Sequence, residues 1–247
     1  MNPPISQCEE PVPERFRTTD WSTIRRAVHH SHAGNGSALN QLCTLYWKPL
    51  YYFARRNGHS PEESQDLTQG FFAVVIEKGY FHSADRQRGR FRNFILAAFQ
   101  NFLRNRRTSN HCAKRGGAYQ FVSLDTKTAE IDYSQEHFQT VSAATLFDRT
   151  WAVTLVGAAL NELKAEFSRA GKALQYSILE PFFTDPGEMT YADAAEALGL
   201  SEAAIRVAVH RARTRYGKLL RKEVAATVGE AREVDDELRY LLAVLSG

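Results

Sequence analysis

The chain has 247 residues, of which 31 are Lys or Arg, 28 are Asp or Glu and 43% are hydrophobic. This apolar share excludes a disordered or fibrous chain, and no stretch approaches the roughly 20 uninterrupted apolar residues that cross a bilayer. The length suits one large domain or two small ones. We therefore expect a globular protein that is not embedded in a membrane.

The N-terminal residues 1–19 contain four prolines and several charges but no apolar segment that could act as a secretory signal. They predict a flexible tail on a cytoplasmic protein. The three cysteines are odd in number and form no CxxC pair, which indicates a reducing compartment. We expect no disulfide, no metal site and no cofactor.

The net charge of +3 conceals two strongly basic segments. Residues 86–115 contain nine Lys or Arg and no acid, and residues 206–222 contain seven, again without an acid. The rest of the chain is net acidic. Spaced basic segments favour a ligand with spaced phosphates, although a solvated helix face gives the same pattern.

Helical periodicity dominates the chain and predicts an all-α fold of two small domains joined by a linker. The first helix is expected at about 20–30. A second carries apolar residues over 39–53, and a kink or a restart is expected at Pro49. The sequence at 60–63, Ser-Pro-Glu-Glu, predicts a capped start for a third helix that ends near Lys78.

The segment 90–107 predicts an amphipathic helix with a basic side. It carries four phenylalanines: Phe91, Phe94, Phe99 and Phe102. Aromatic residues at helical spacing usually lie in a core. One or two of these could instead stack on the bases of single-stranded nucleic acid, beside the cationic side chains.

The predicted domains are residues 20–108 and 146–224, joined by a linker at 109–145 with a short apolar stretch at 119–124. In the second domain, helical periodicity breaks near Gly171 and continues to about Phe183.

Residues 190–213 have the spacing of a helix-turn-helix. Thr190 and Asp193 can form a capping box, Gly199 lies at the turn, and Ser201 can cap the second helix. The outward-facing residues of that helix form one stripe: Glu202, Arg206, His210 and Arg213. In this motif the second helix enters the major groove of DNA.

A family resemblance is carried by four segments that precede the helix-turn-helix. In chain order they are AGNGSALNQL at 33–42, YWKPLYYFARRNG at 46–58, DLTQGFF at 66–72 and GRFRNFILAAFQNFLRNRR at 89–107. With them, the chain resembles a bacterial sigma-70-type RNA polymerase sigma factor of the extracytoplasmic-function (group IV) class. Residues 21–107 resemble sigma region 2 and residues 146–223 resemble region 4, together about two thirds of the chain.

The resemblance implies a sigma factor that binds core RNA polymerase, through the β′ clamp helices and the β flap, and promoter DNA. An anti-sigma factor is a further candidate partner. The residues implied in polymerase binding are Asp66, Leu67, Gln69 and Phe72. Those implied at the promoter −10 element are Arg90, Arg92, Asn93, Asn101, Arg104 and Arg107. Those implied at the −35 element are Ser201, Glu202, Arg206, His210, Arg211, Arg213 and Arg215.

The C-terminal extension, residues 225–247, is acidic and then amphipathic, with Leu238, Leu241, Leu242 and Leu245 at helical spacing. We expect it to fold back on a sigma domain or its basic surface and to modulate polymerase or DNA binding.

Two other classes of protein would also contain a helix-turn-helix. A transcriptional regulator that acts without polymerase would leave the DLTQGFF segment and the basic aromatic helix unexplained. A recombinase or nuclease would need clustered carboxylates or an activated nucleophile, and the sequence has no HExxH, Walker or GxSxG motif. We therefore predict that the chain is not an enzyme.

Overall fold

The computed structural model describes residues 36–77, 90–108, 126–135, 141–184, 189–228 and 230–246. Within these ranges it contains ten α-helices and no strand, which confirms the predicted all-α fold. The tail at 1–19, the helix expected at 20–30 and the apolar stretch at 119–124 lie outside the described residues.

The first four helices are α1 (Gly36–Arg56), α2 (Pro61–Glu77), α3 (Phe91–Thr108) and α4 (Thr126–Gln135). Six more follow: α5 (Ala143–Arg169), α6 (Ala173–Leu179), α7 (Pro181–Thr184), α8 (Tyr191–Leu198), α9 (Glu202–Thr227) and α10 (Glu233–Ser246). The break near Gly171 is confirmed, since this glycine has a positive φ of 70° between α5 and α6.

The restart considered at Pro49 does not occur, because α1 continues through this residue. A proline inside a helix has no N–H to donate, so the carbonyl of Leu45 loses its usual intrahelical donor. The side chains of Tyr46, Leu50 and Phe53 on either side are buried in the core. This packing holds the helix together across the missing hydrogen bond.

The predicted capping box of α2 is confirmed. The Glu63 backbone N–H donates to Ser60 Oγ at 3.1 Å, and the Ser60 N–H donates to Glu63 Oε2 at 3.1 Å. These bonds satisfy backbone donors that the first helical turn leaves free.

The segment predicted as a linker contains helix α4, which packs against α1. Tyr52 Oη donates to the Ala129 carbonyl at 2.9 Å, and Arg55 Nη2 lies 2.7 Å from Glu130 Oε1. Lys48 Nζ pairs with Asp132 at 2.6 Å. The basic side chains of α1 and the acidic side chains of α4 are visible in the sequence, and this complementary charge is the signal that could have predicted the contact.

The largest hydrophobic core takes side chains from both predicted domains and from the C-terminal extension. Its members include Tyr46, Leu50, Phe72, Phe91 and Phe99 from α1 to α3, Phe147, Trp151 and Leu155 from α5, and Val234 and Leu241 from α10. The N-terminal half of α5 thus packs against the first domain, so the two predicted domains share a core. A second cluster of buried residues lies around the helix-turn-helix.

In the part of the chain that the structure describes, no helix is both long enough and apolar enough to cross a membrane.

Near the end of α9, the carboxyl group of Glu223 is buried. Its Oε2 atom has no hydrogen-bond partner among the described residues. Burial raises the pKa of Glu223 to about 7; the nearby Glu162 carboxylate adds to the rise, and Lys222 opposes it. The ionised form is therefore destabilised in the folded chain.

Replacing Glu223 with glutamine is expected to stabilise the protein at alkaline pH. Because the pKa is higher in the folded than in the unfolded chain, the folded chain binds more protons between about pH 4.5 and 7, and stability falls as the pH rises through that window. Urea unfolding should show a gain of about 2 kcal/mol at pH 8 and much less at pH 5. The same gain at both pH values would contradict this account, and Glu230→Gln, at an exposed position, is the control.

Candidate nucleic-acid interface

Helices α8 and α9 form the helix-turn-helix that the sequence predicts. The Asp193 N–H donates to Thr190 Oγ1 at 3.2 Å, and the Thr190 N–H donates to Asp193 Oδ2 at 2.9 Å. Gly199 adopts a left-handed conformation with φ of 64°, which favours glycine. Ser201 Oγ accepts from the Ala204 N–H at 3.2 Å and caps α9.

Buried apolar contacts fix the orientation of α9. Its Ile205 and Val209 pack against Ala194 and Ala195 of α8 and Leu179 of α6. The small alanine side chains allow the two helices to approach closely. The opposite side of α9 therefore faces solvent.

The predicted recognition stripe lies on the exposed surface at the N-terminal half of α9. Glu202, Arg206 and His210 are all exposed. Arg206 Nη2 lies 3.3 Å from Glu202 Oε2, and its guanidinium carbon lies 4.5 Å from the ring centre of Tyr191. Exposed ion pairs of this kind contribute little stability, so Arg206 can exchange Glu202 for another acceptor at low cost.

The later basic residues of α9 differ in their partners. Arg213 Nη2 donates to the Phe182 carbonyl at 2.5 Å, and Arg215 makes a two-point ion pair with Glu166 of α5. Arg215 holds the pKa of the Glu166 carboxyl below its usual range. Arg211 is exposed and lines an open groove of about 340 Å³ between α5, α6 and α9.

The aromatic side chains of α3 form part of the core. Phe91 and Phe99 are fully buried, and the Phe99 ring lies edge-on to Phe71 with centroids 5.1 Å apart. Phe94 and Phe102 are partly buried and pack against the same core. The expectation that most of these aromatics are core residues is confirmed.

The other side of α3 presents a polar stripe to solvent. Asn93, Asn101 and Arg104 are exposed, and Arg104 Nη1 lies 3.4 Å from Asn101 Oδ1. The side chain of Arg107 lies outside the described residues. The exposed stripe thus contains three of the six residues that the resemblance implies at the −10 element.

Two further residues of that set, Arg90 and Arg92, are bound by the C-terminal helix. Arg92 Nε donates to Glu237 Oε1 at 2.8 Å, and Arg90 Nε lies 2.8 Å from Glu237 Oε2. Arg92 also pairs with Asp148 of α5, and Tyr240 Oη donates to the same carboxylate at 2.5 Å. We call these five side chains the α3–α10 cluster.

The centre of the α3–α10 cluster, at Arg92 and Glu237, is shielded from water. The side chain of Arg92 is 3% exposed and that of Glu237 is 0% exposed, whereas that of Arg90 is 30% exposed. Burial alone would lower the pKa of Arg92, but the carboxylates of Asp148 and Glu237 outweigh it and raise the pKa. The cluster is therefore a charge-balanced arrangement of two guanidinium groups and two carboxylates.

These contacts confirm that the C-terminal extension folds back, as the sequence predicted. Val234 and Leu241 are buried in the main core, and Leu238 and Leu245 pack against it. The sequence did not identify Glu237 as the partner of Arg90 and Arg92. The available signal was the acidic run at 230–237, which complements the acid-free segment 86–115.

Helix α2 carries the residues implied in polymerase binding. Asp66 is exposed and Gln69 is half-buried. Leu67 and Phe72 are buried in the main core, where they hold α2 in place. Of these four residues, only Asp66 and Gln69 can therefore contribute to a surface that α2 offers to a partner.

Comparison with known families supports the assignment of the helix-turn-helix. Residues 187–215 match the family model for Sigma-70, region 4. Neither the comparison with curated proteins nor the comparison with solved structures found a match. The matched segment contains α8, the turn at Gly199 and the first half of α9, and it indicates a sigma factor or a related DNA-binding regulator.

The matched family describes a DNA-binding domain rather than a catalytic one. Among the described residues, no group of three or more His, Cys, Asp or Glu side chains lies close enough together to bind a metal ion.

Proposed function

We propose that the chain is a sigma factor of the extracytoplasmic-function class, which binds core RNA polymerase and directs it to promoters in the cytoplasm. The match of residues 187–215 to sigma region 4 carries this proposal. Helix α3, with its polar and basic surface, precedes that match in the chain. Region 2 and region 4 of a sigma factor would occur in this order.

Helix α9 is proposed to read the −35 element. Its exposed residues Glu202, Arg206 and His210 would face base edges in the major groove, with Ser201 at the N-terminus of the helix. The basic residues Arg211, Arg213 and Arg215 would contact phosphates. Of these, Arg213 and Arg215 would first exchange their present partners for DNA.

Helix α3 is proposed to hold the opened −10 strand. Asn93, Asn101 and Arg104 form its exposed stripe. Amide and guanidinium groups donate to phosphates and to base edges, and a basic surface favours binding to a single strand through counterion release. Arg107 extends the same segment, and Arg90 and Arg92 lie at its start.

Helix α2 is proposed to bind the polymerase clamp through Asp66 and Gln69. Reversing the charge at this surface, with Asp66→Arg and Gln69→Ala, should reduce co-elution with bacterial core polymerase by at least about tenfold. The matched control is Glu77→Arg, which reverses an exposed charge at the other end of α2. Equal loss in both variants would contradict a specific α2 interface.

Arg206→Ala separates binding to core polymerase from recognition of the −35 element. It should leave core binding unchanged and weaken −35 recognition by about 1–3 kcal/mol, because one base-reading side chain is lost. Arg232→Ala, at an exposed position outside α9, is the control.

A second candidate is a helix-turn-helix regulator that acts without polymerase, since the family match is confined to residues 187–215. Such a protein would bind duplex DNA but would not co-elute with core polymerase. An anti-sigma factor is a further proposed partner and would compete with core enzyme for the chain.

A further inference from the structure

We infer that the C-terminal helix α10 is an autoinhibitory element, which occupies the DNA-binding flank of α3 and must move away before Arg90 and Arg92 can bind DNA. The inference rests on the proposed function of α3 as a DNA-binding helix. It concerns how access to that helix is controlled.

The Glu237 carboxylate occupies the place that a phosphate group would take. Its two oxygens lie 2.8 Å from Arg92 Nε and 2.8 Å from Arg90 Nε. Guanidinium groups bind carboxylate and phosphate oxygens through the same geometry. A DNA phosphate and Glu237 would therefore compete for the same two side chains.

Tyr240 covers a further side of this pair of arginines. The guanidinium carbon of Arg92 lies 4.3 Å from the centre of the Tyr240 ring, and that of Arg90 lies 5.8 Å from it. Arg92 is only 3% exposed. A phosphate group has no path to Arg92 until α10 is displaced.

The open stripe of α3 offers DNA a first contact before α10 moves. Asn93, Asn101 and Arg104 are exposed while Arg92 is covered. A strand held on this stripe would bring phosphates close to the α3–α10 cluster. Exchange of Glu237 for phosphate would then keep both guanidinium groups paired, whereas opening without DNA would give up their ion pairs with Glu237.

The outer contacts of α10 are weak enough for such an exchange. Arg221 pairs with Asp235 at 2.5 Å, but both side chains are more than half exposed. Leu242 is 60% exposed and contributes little burial. The attachment of α10 therefore depends mainly on the α3–α10 cluster and on a few buried apolar residues, including Val234 and Leu241.

Glu237→Ala tests the inference directly, with Asp236→Ala as the matched control. Asp236 lies on the same helix, and its ion-pair partner among the described residues is the exposed Arg239. The probe is a fluorescein-labelled single-stranded 20-mer of mixed sequence, titrated at several salt concentrations. Glu237→Ala should bind it about tenfold more tightly than the unmodified chain, with a log–log salt slope steeper by about 1.4, the value for two added phosphate contacts on a single strand.

The control should bind the probe like the unmodified chain. Adding Arg90→Ala and Arg92→Ala to the Glu237→Ala variant should abolish the gain in affinity and in salt slope. Affinity and slope that do not differ between Glu237→Ala and Asp236→Ala would overturn the inference.

Hydrogen exchange on the unmodified chain gives a second test that does not depend on the folding of a variant. Backbone amides of α10 should exchange faster when the probe is bound, while those of α8 should not change. Unchanged or slower exchange in α10 on saturation with the probe would overturn the inference.

Binding to core polymerase distinguishes failure of the autoinhibition inference from failure of the proposed function. If the chain binds core enzyme but Glu237→Ala leaves probe binding unchanged, the autoinhibitory role of α10 is wrong and the sigma-factor proposal stands. If no form of the chain binds core enzyme, the proposed function is wrong.

Discussion

Replacing Trp151 with alanine is expected to lower the free energy of unfolding by about 4 kcal/mol. Trp151 is fully buried on α5, in the core that the two predicted domains share. The loss has two parts: the transfer free energy of the indole, and the cavity that its removal leaves. Urea unfolding followed by circular dichroism measures it.

The matched control for Trp151→Ala is Val153→Ala. Val153 lies two residues further along the same helix, but its side chain is 55% exposed. This substitution should change stability by no more than about 0.5 kcal/mol. A loss below about 1 kcal/mol for Trp151→Ala would contradict the shared core, because α5 would then not depend on its packing against α1 and α3.

Arg92→Ala is expected to cost about 3–5 kcal/mol of stability. The substitution removes one of the two arginines that pair with Glu237 and also removes the arginine that pairs with Asp148. The loss of an arginine partner from a shielded carboxylate costs far more than the modest net gain from forming the pair. Arg104→Ala, on the exposed face of the same helix, should stay within about 0.5 kcal/mol.

A double variant separates the loss of the pair from the loss of packing. Arg92→Met with Glu237→Gln removes both charges and keeps most of the side-chain volume. It should recover part of the stability that Arg92→Ala loses, because Glu237 no longer carries a charge, while Asp148 still lacks its arginine. If Arg92→Ala and Arg104→Ala are equally mild, the α3–α10 cluster does not hold α10 in place.

The sequence predicted the helix-turn-helix well because its signals are local. Thr190 with Asp193, Gly199 and Ser201 each act on backbone atoms within a few residues. Capping residues and a glycine at positive φ are readable without knowledge of the rest of the fold.

The α3–α10 cluster could not be predicted residue by residue, because it joins distant parts of the chain. Arg92 and Glu237 are 145 residues apart in sequence. Complementary charge indicated that the acidic extension could meet a basic surface. Only the packing of α10 beside α3 and α5 determines which carboxylate meets which arginine.

Contacts between residues that are distant in sequence also explain why the packing of α4 and the burial of a proposed DNA-binding residue were not predicted. Arg55 and Glu130, 75 residues apart, pair across a segment that the sequence predicted as a linker. Arg92 is implied in DNA binding by its place in the motif, yet it is buried when α10 is docked. Its proposed contact with DNA therefore depends on the displacement of α10.

We propose that the chain directs core RNA polymerase to promoters. Run-off transcription tests it most directly, with purified bacterial core enzyme and a library of double-stranded genomic fragments from the source cell, in the presence and absence of the chain. The account predicts transcripts from defined start sites only when the chain is present, and their loss with Arg206→Ala. Identical transcripts with and without the chain, together with no complex between the chain and core enzyme, would contradict it.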